Sequence, residues 1–418
     1  MRKIISKPKI VNSNTLLVTV DISKGKNTGY FRCPDGTEVL PFEFTNDQSG
    51  FNKLYQMMEA VKQQKQLGVI ILGFESTGPY AEPLTHYLKD KDIKLVQVNT
   101  AHTKKLKEVY DNSPGKTDRK DPKVIADLVE LGRVLKVVIP EGICAELRRL
   151  THARDRYIKT RNMLINQLYD LEYVLFPELG QIITDFQSKT AQYLLRHYPT
   201  PQKMRKVSPN RLETILRKVS RGRYGKEQAQ RLYQAAIHSV GIIEGLSSIV
   251  EEIENILKAI ALQSRFIGKC EEDISRNLVQ VPWSRELLSI KGIGEITVAG
   301  VIGEVVDFNN FTSPKEVEKF AGLNLYEVSS GKHKGKRRIS KRGRWFLRKI
   351  LYFAALNTIR KGGVFFEQYH RYMDRGMPGK KALIAIARKL LRVMFAIARN
   401  QKAFKEEYHH ISKISEAA

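Results

Sequence analysis

Two short apolar runs, each ending in an acid, constrain the fold of this chain more than any other feature. Leu16-Leu17-Val18-Thr19-Val20 runs into Asp21, and Val69-Ile70-Ile71-Leu72-Gly73-Phe74 runs into Glu75. Runs of this length, rich in Val and Ile, read as strands. Two such strands side by side would bring both carboxylates to the same edge of one sheet. A second pair of acids, Asp118 and Asp121 in Lys116-Thr117-Asp118-Arg119-Lys120-Asp121, stands at i and i+3 where a helix is expected to open, so both face one side. Each acid alone has a plainer reading. Asp21 could end a strand in a turn, Glu75 could be a solvated strand end, Asp118 could cap a helix and Asp121 could sit on its dipole. Together they predict a metal site. Four converging carboxylates repel one another without cations, and hard oxygen donors suit Mg²⁺ or Mn²⁺. Two-metal phosphoryl chemistry uses such a set to hold cations about 3.5–4 Å apart, one at the attacking oxygen and one at the leaving oxygen.

The charge balance names the class of partner. The 418 residues carry 71 Lys and Arg against 44 Asp and Glu, a net charge of +27. Such an excess points to a polyanion, DNA or RNA. No apolar run is long enough to span a bilayer, and the start, Met1-Arg2-Lys3-Ile4-Ile5-Ser6-Lys7, lacks the apolar core of a secretion signal, so no membrane partner is expected. Cys33, Cys144 and Cys270 lie far apart, with neither zinc spacing nor a disulfide framework. A cytoplasmic setting follows, with any metal held by carboxylates.

Along the chain, residues 14–135 read as mixed α/β. Strands are expected at 29–32 and 37–44 around the turn Pro34-Asp35-Gly36, a helix at 47–66, a strand at 69–74, a helix at 82–89 and a strand at 94–98. The resulting order, β-β-β-α-β-α-β-α, matches the RNase H-like (RuvC-like) arrangement of a sheet with helices on its faces. The strand ending Val-Asp-Ile-Ser also suits an actin-like sugar kinase. That fold requires two phosphate loops and a Gly-rich adenosine loop, which the sequence lacks.

Residues 143–280 read as helical, with long helices at 144–176 and 242–262 separated by a basic, proline-containing helical insert at 189–234. Their periodicity suits either an antiparallel coiled coil that oligomerises or ordinary packing within the chain. Residues 285–410 are again helical. Leu287-Leu288-Ser289-Ile290-Lys291-Gly292-Ile293-Gly294-Glu295 has the form of a helix-hairpin-helix turn, in which Gly292 and Gly294 let backbone N–H groups approach a phosphate. The acid-free stretch 331–350 follows. Its Lys332, Lys334, Lys336, Arg337, Arg338, Lys341, Arg342 and Arg344 are interrupted by glycines and joined by Trp345 and Phe346, a pattern suited to a nucleic-acid backbone. Ser329 and Ser330 stand just before it. A serine hydroxyl attacks only where a base, a metal or clustered cations stabilise its alkoxide.

The chain resembles the DEDD-type insertion-sequence transposases over nearly its full length, with the motifs in family order. They are Val-Asp-Ile-Ser with Asp21, Glu-Ser-Thr-Gly-Pro-Tyr with Glu75, Lys-Thr-Asp-Arg-Lys-Asp with Asp118 and Asp121, then Ile-Lys-Gly-Ile-Gly, and Phe320-Ala321-Gly322-Leu323 leading through Ser-Ser-Gly to Ile339-Ser340-Lys341-Arg342-Gly343. The resemblance implies a recombinase whose four acids bind Mg²⁺. It implies a C-terminal serine that attacks donor and target DNA to form a phosphoserine intermediate, a homo-oligomer (dimer or tetramer) and guidance by a structured bridge RNA. The family's nucleophile precedes the glycine, which selects Ser330. Counting back from Ile-Ser-Lys-Arg-Gly selects Ser329 instead, and Ser330 is preferred here. The insert is longer than the minimal family layout. Two rivals are a RuvC-like structure-selective DNA endonuclease that uses metal-activated water, and a non-catalytic nucleic-acid scaffold.

Overall fold

In a computed structural model that describes residues 10–75, 78–111, 121–327, 335 and 337–405, the run ending at Asp21 is strand β1 (Thr15–Asp21). It is followed by β2 (Lys26–Arg32), β3 (Glu38–Thr45), α1 (Gln48–Gln64), β4 (Val69–Glu75), α2 (Ala81–Leu88), β5 (Ile93–Val98), α3 (Thr100–Asp111), α4 (Asp121–Glu130) and β6 (Val134–Lys136). The six strands form one sheet in the order β3-β2-β1-β4-β5-β6. β1, β2 and β3 pair antiparallel, as short turns require. β1, β4 and β5 run parallel, and α1 and α2 supply the crossovers that parallel strands need. The edge strand β6 pairs antiparallel with β5.

Each face of the sheet has its own core. Val18, Val20, Leu72 and Phe74 pack against Leu54 and Met58 of α1 and Leu84 and Leu88 of α2. Leu17 and Ile71 point the other way, into Ile125, Ala126, Leu128 and Val129 of α4. This is a mixed α/β sheet of the RNase H-like kind, with every expected strand and helix present. Two elements exceed the expectation. α3 is a lysine-rich helix whose apolar stripe is thin, and β6 is too short to show an alternating pattern.

The chain divides into two compact units, Met1–Cys144 with Trp283–Ala418, and Ala145–Pro282. The second unit is all-helical: α5 (Gly142–Leu175, whose first turn belongs to the other unit), α6 (Pro177–Ile182), α7 (Lys189–His197), α8 (Pro201–Met204), α9 (Pro209–Ser220), α10 (Lys226–Ile237) and α11 (Leu246–Leu278). Ser188, Thr200 and Ser208 cap α7, α8 and α9 by accepting from the backbone N–H three residues on. The long helices are antiparallel neighbours: Arg154 pairs with Glu271 at 2.6 Å, and the Tyr157 and Phe266 ring centroids lie 5.2 Å apart. α11 continues well past the expected end at 262. Ile267, Cys270, Ile274 and Leu278 keep the helical spacing after the polar break at Gln263-Ser264-Arg265, and all four are buried.

In the first unit the chain resumes with α12 (Ser284–Leu288), α13 (Glu295–Val305), α14 (Pro314–Phe320), β7 (Leu325–Tyr326), β8 (Arg338–Ile339), α15 (Trp345–Thr358), α16 (Phe366–Asp374) and α17 (Gly379–Asn400). α13, α15 and α17 bury Val298, Ile302, Leu347, Leu351, Ile386 and Leu390 completely. α14 is tied to α17 through Glu318, which is 2% exposed and meets Arg388 at 2.7 Å and also Arg392. Removing both arginines would leave a buried charge unmatched, at a cost on the order of 3–5 kcal/mol. Among the described residues no helix is long and apolar enough to cross a membrane.

Glu172, on α5, gives the second unit a pH-dependent stability. Its side chain is buried and accepts from the Gly180 N–H at 2.8 Å. Burial pushes its pKa from 4.5 to about 7, with the Glu178 charge acting in the same direction and the Gly180 bond against it. The folded chain therefore binds this proton more tightly than the unfolded chain. The stabilisation is complete below pH 4.5 and is lost as pH rises through about 7. Glu172→Gln keeps the acceptor and removes the charge. Thermal unfolding of the whole chain should show it raising the midpoint at pH 8 and leaving it nearly unchanged at pH 5. An equal shift at both values would contradict the burial argument.

Candidate active site

Asp21 and Glu75 end neighbouring parallel strands. Val20 of β1 is aligned with Phe74 of β4, so the two acids occupy the next rung. Side chains alternate along a strand. Val20 and Phe74 lie in the core under α1 and α2, while Leu17 and Ile71 lie in the core under α4. Asp21 therefore falls with Leu17 and Thr19, and Glu75 with Ile71 and Gly73, all on the α4 side. Both acids are partly exposed at the sheet's edge.

Asp121 begins α4 and is 8% exposed. Two contacts hold this helix at the carboxyl ends of the central strands. The Thr19 hydroxyl donates to the Pro122 carbonyl at 2.6 Å, which pins the first turn of α4 two residues before Asp21. Further along, Val129 lies where a side chain on residue 73 would project: a Cβ there would stand 2.7 Å from Val129 Cγ2. Only glycine admits the helix this closely, the usual meaning of an isolated glycine inside an apolar strand. Three of the four expected acids thus belong to one face of one sheet. Asp118 lies outside the described residues.

Lys107 of α3, which sequence reasoning missed, places its ammonium 2.5 Å from the Asp121 carboxylate. Among the described residues no three His, Cys, Asp or Glu side chains stand close enough to share a metal ion. The donor set still suits a hard divalent cation, since Asp21, Glu75 and Asp121 offer only carboxylate oxygens.

In the C-terminal part, Ser329, Ser330, Lys332, Lys334 and Lys336 lie outside the described residues. The chain on either side of them is fixed. β7 and β8 pair Leu325 with Ile339 and Tyr326 with Arg338. Ser340 donates from its backbone to Asn324 O at 2.9 Å, Lys341 N to Gly322 O at 3.0 Å and Arg344 N to Phe320 O at 2.8 Å. Gly343 has a φ of +150°, and a Cβ on it would lie 2.3 Å from Phe320 O, so this clasp admits no other residue. Arg337 pairs with Glu327 at 2.9 Å, and Arg338 lies in β8. Arg342 lies 2.6 Å from His102 Nε2. Arg344 stacks on Phe320 and reaches the Val138 carbonyl at 3.4 Å and Glu304 at 4.0 Å. Gly292 has a φ of +94° in the turn between α12 and α13, and Gly294 precedes the first residue of α13.

Comparison with known proteins places this chain in a family. A DEDD-type family described as transposases matches residues 18–176, and the transposase IS116/IS110/IS902 family matches residues 284–371. The chain belongs to this family of DEDD transposases. It is similar to the insertion element IS116 uncharacterized 44.8 kDa protein of Streptomyces clavuligerus, 24% identical over 396 residues that cover 93% of this chain and 95% of the relative. Its likeness to the insertion element IS110 uncharacterized 43.6 kDa protein of Streptomyces coelicolor is 25% over 391 residues, covering 91% and 93%. The pilin gene-inverting protein of Moraxella bovis is 30% identical over 125 residues, 29% of this chain and 39% of that protein. The chain is a transposase, an enzyme that cleaves and rejoins DNA, and its family implies a divalent cation.

The seating of α4 yields a direct test. Gly73→Val should push α4 away from the sheet and carry Asp121 with it. A displacement near 1 Å costs about 100-fold in rate, so DNA strand cleavage should fall by about that factor while the chain stays folded by circular dichroism. Full activity in a folded Gly73→Val variant would contradict the assignment.

Proposed function

We propose that the chain moves an insertion sequence by metal-assisted DNA strand exchange through a serine–DNA intermediate. Asp21, Glu75, Asp118 and Asp121 hold Mg²⁺ or Mn²⁺. The bound cation supplies a Lewis acid that stabilises charge on the phosphate. The carboxylates fix its place, the buried start of α4 orients Asp121, and Lys107 holds that carboxylate in position. Ser330, or Ser329 in the alternative register, attacks phosphorus. The serine oxygen–phosphorus bond forms, one phosphodiester bond breaks, and the departing oxygen takes a proton. The reaction is isoenergetic in outline, so a second strand can reverse it and rejoin. Of the supporting observations, the common face of Asp21, Glu75 and Asp121 carries the most weight.

Several finer features belong to the same reading. Residues 14–135 form the RuvC-like catalytic domain, 143–280 a coiled-coil pair with its helical insert, and 285–410 the domain that carries the serine. The antiparallel α5 and α11 suit a coiled coil that joins copies into a dimer or tetramer. The turn from Gly292 to Gly294 suits a helix-hairpin-helix contact with phosphate, joined by Lys332, Lys334, Lys336, Arg337, Arg338, Lys341, Arg342 and Arg344. The family resemblance and the charge of +27 support a bridge RNA as guide. Donor and target DNA place the activity in the cytoplasm.

Denaturing gels of the chain with its insertion-sequence DNA decide the matter. Wild-type chain and Ser329→Ala should form a covalent protein–DNA adduct, and Ser330→Ala should form none. Loss of an outer-shell group at a metal site costs about 10–100-fold, so Asp21→Asn or Glu75→Gln, which remove ligands, should lower adduct formation by more than about 100-fold. Adduct lost in Ser329→Ala instead would move the nucleophile by one residue. Cleavage without any adduct would favour the endonuclease that uses metal-activated water.

A further inference from the structure

The first unit contains a second basic site that the acids do not share. A cavity of about 830 Å³ opens between the β6 edge of the sheet and the β7–β8 clasp. Lys105, Arg133, Lys319 and Arg342 line it together with His102 and Tyr326, and none of Asp21, Glu75 and Asp121 does. Glu130 is the one acid in the lining, and Arg32 already engages it at 3.0 Å. Among the described residues no carboxylate pairs with Lys105, Arg133 or Lys319.

Four cations around one cavity repel one another, and an anion between them would relieve that repulsion. His102 responds to the same field. Burial and the charges of Arg342, Arg133, Lys105 and Lys319 all push its pKa down. Its Nε2 faces the Arg342 guanidinium, which can only donate, so Nε2 accepts and Nδ1 carries the hydrogen. That Nδ1–H is buried and has no acceptor among the described residues.

The volume falls in the range of about 300–1,000 Å³ typical of small-ligand sites. It admits a nucleotide but no double helix. The Tyr326 ring is 45% exposed on this wall, where a base can stack.

We propose that this cavity holds an unpaired nucleic-acid strand, with Lys105, Arg133, Lys319 and Arg342 neutralising its phosphates and Tyr326 stacking a base. The assignment rests on nucleic acid as the substrate class read above. It adds a strand-holding site apart from the cleaving acids.

Fluorescence anisotropy with labelled unpaired RNA and DNA 10-mers tests it on the full chain. Each phosphate contact with a single strand contributes a slope of about 0.7 in log affinity against log salt. The double variant Arg133→Ala/Lys319→Ala should therefore bind more weakly with a slope smaller by about 1.4. Tyr326→Ala should weaken binding by about tenfold with the slope unchanged. The oligonucleotide should also slow acetylation of Lys105 and Lys319, read by mass spectrometry, and inorganic phosphate at the same phosphate concentration should not. An unchanged slope in the double variant, or protection by inorganic phosphate alone, would overturn the proposal. If the wild-type chain binds these strands while the double variant keeps its slope, the cavity assignment alone fails. If the wild-type chain binds no nucleic acid, the broader reading fails with it.

Discussion

Asp121 reaches the face shared by Asp21 and Glu75 because α4 lies directly on the sheet, with no side chain at residue 73 to hold it off. The Thr19 hydroxyl then fixes the depth of its first turn by bonding the Pro122 carbonyl at 2.6 Å. Neither contact involves an acid, yet both decide where one acid stands. A carboxylate placed by packing is held more tightly than one on a loop, since its helix cannot shift without opening a core of Leu17, Ile71, Ile125 and Val129.

A second constraint acts on the serine segment. The stretch that bears Ser329 and Ser330 leaves β7 and returns through β8, and both ends are locked by Gly322, Asn324 and the glycine-only position at Gly343. The same clasp carries Arg342 to His102, on the helix after β5. The basic run therefore does two things. Arg344 ties the clasp to the Val138 carbonyl, and Arg342, besides meeting His102, lines a cavity together with Lys105, Arg133 and Lys319.

Much of this arrangement is legible in the sequence because it depends on local pattern. Apolar runs with acids at their ends gave the central strands and the edge where Asp21 and Glu75 stand, and the order of elements gave the RNase H-like sheet. Helical spacing gave α5, while α11 was cut short because Gln263-Ser264-Arg265 hides the stripe that resumes at Ile267. What escaped depends on pairs distant in the chain. Lys107 looks like any lysine on a polar helix until α4 brings Asp121 to it, and Gly73 reveals its role only beside Val129. A charge run has no period, so nothing in it distinguishes Arg344, turned to Glu304 and the Val138 carbonyl, from cations that face outward.

The central claim is that Asp21, Glu75 and Asp121 hold one divalent-metal centre at the edge of the sheet. Replacing Mg²⁺ with Fe²⁺ and adding ascorbate and peroxide makes the bound ion cut the polypeptide nearby, and mass spectrometry locates the cuts. Cuts clustered around residues 21, 75 and 121, suppressed by excess Mg²⁺ and absent in Asp21→Asn, are the predicted result. Cuts at only one of these three positions, or a pattern unchanged in Asp21→Asn, would contradict the account.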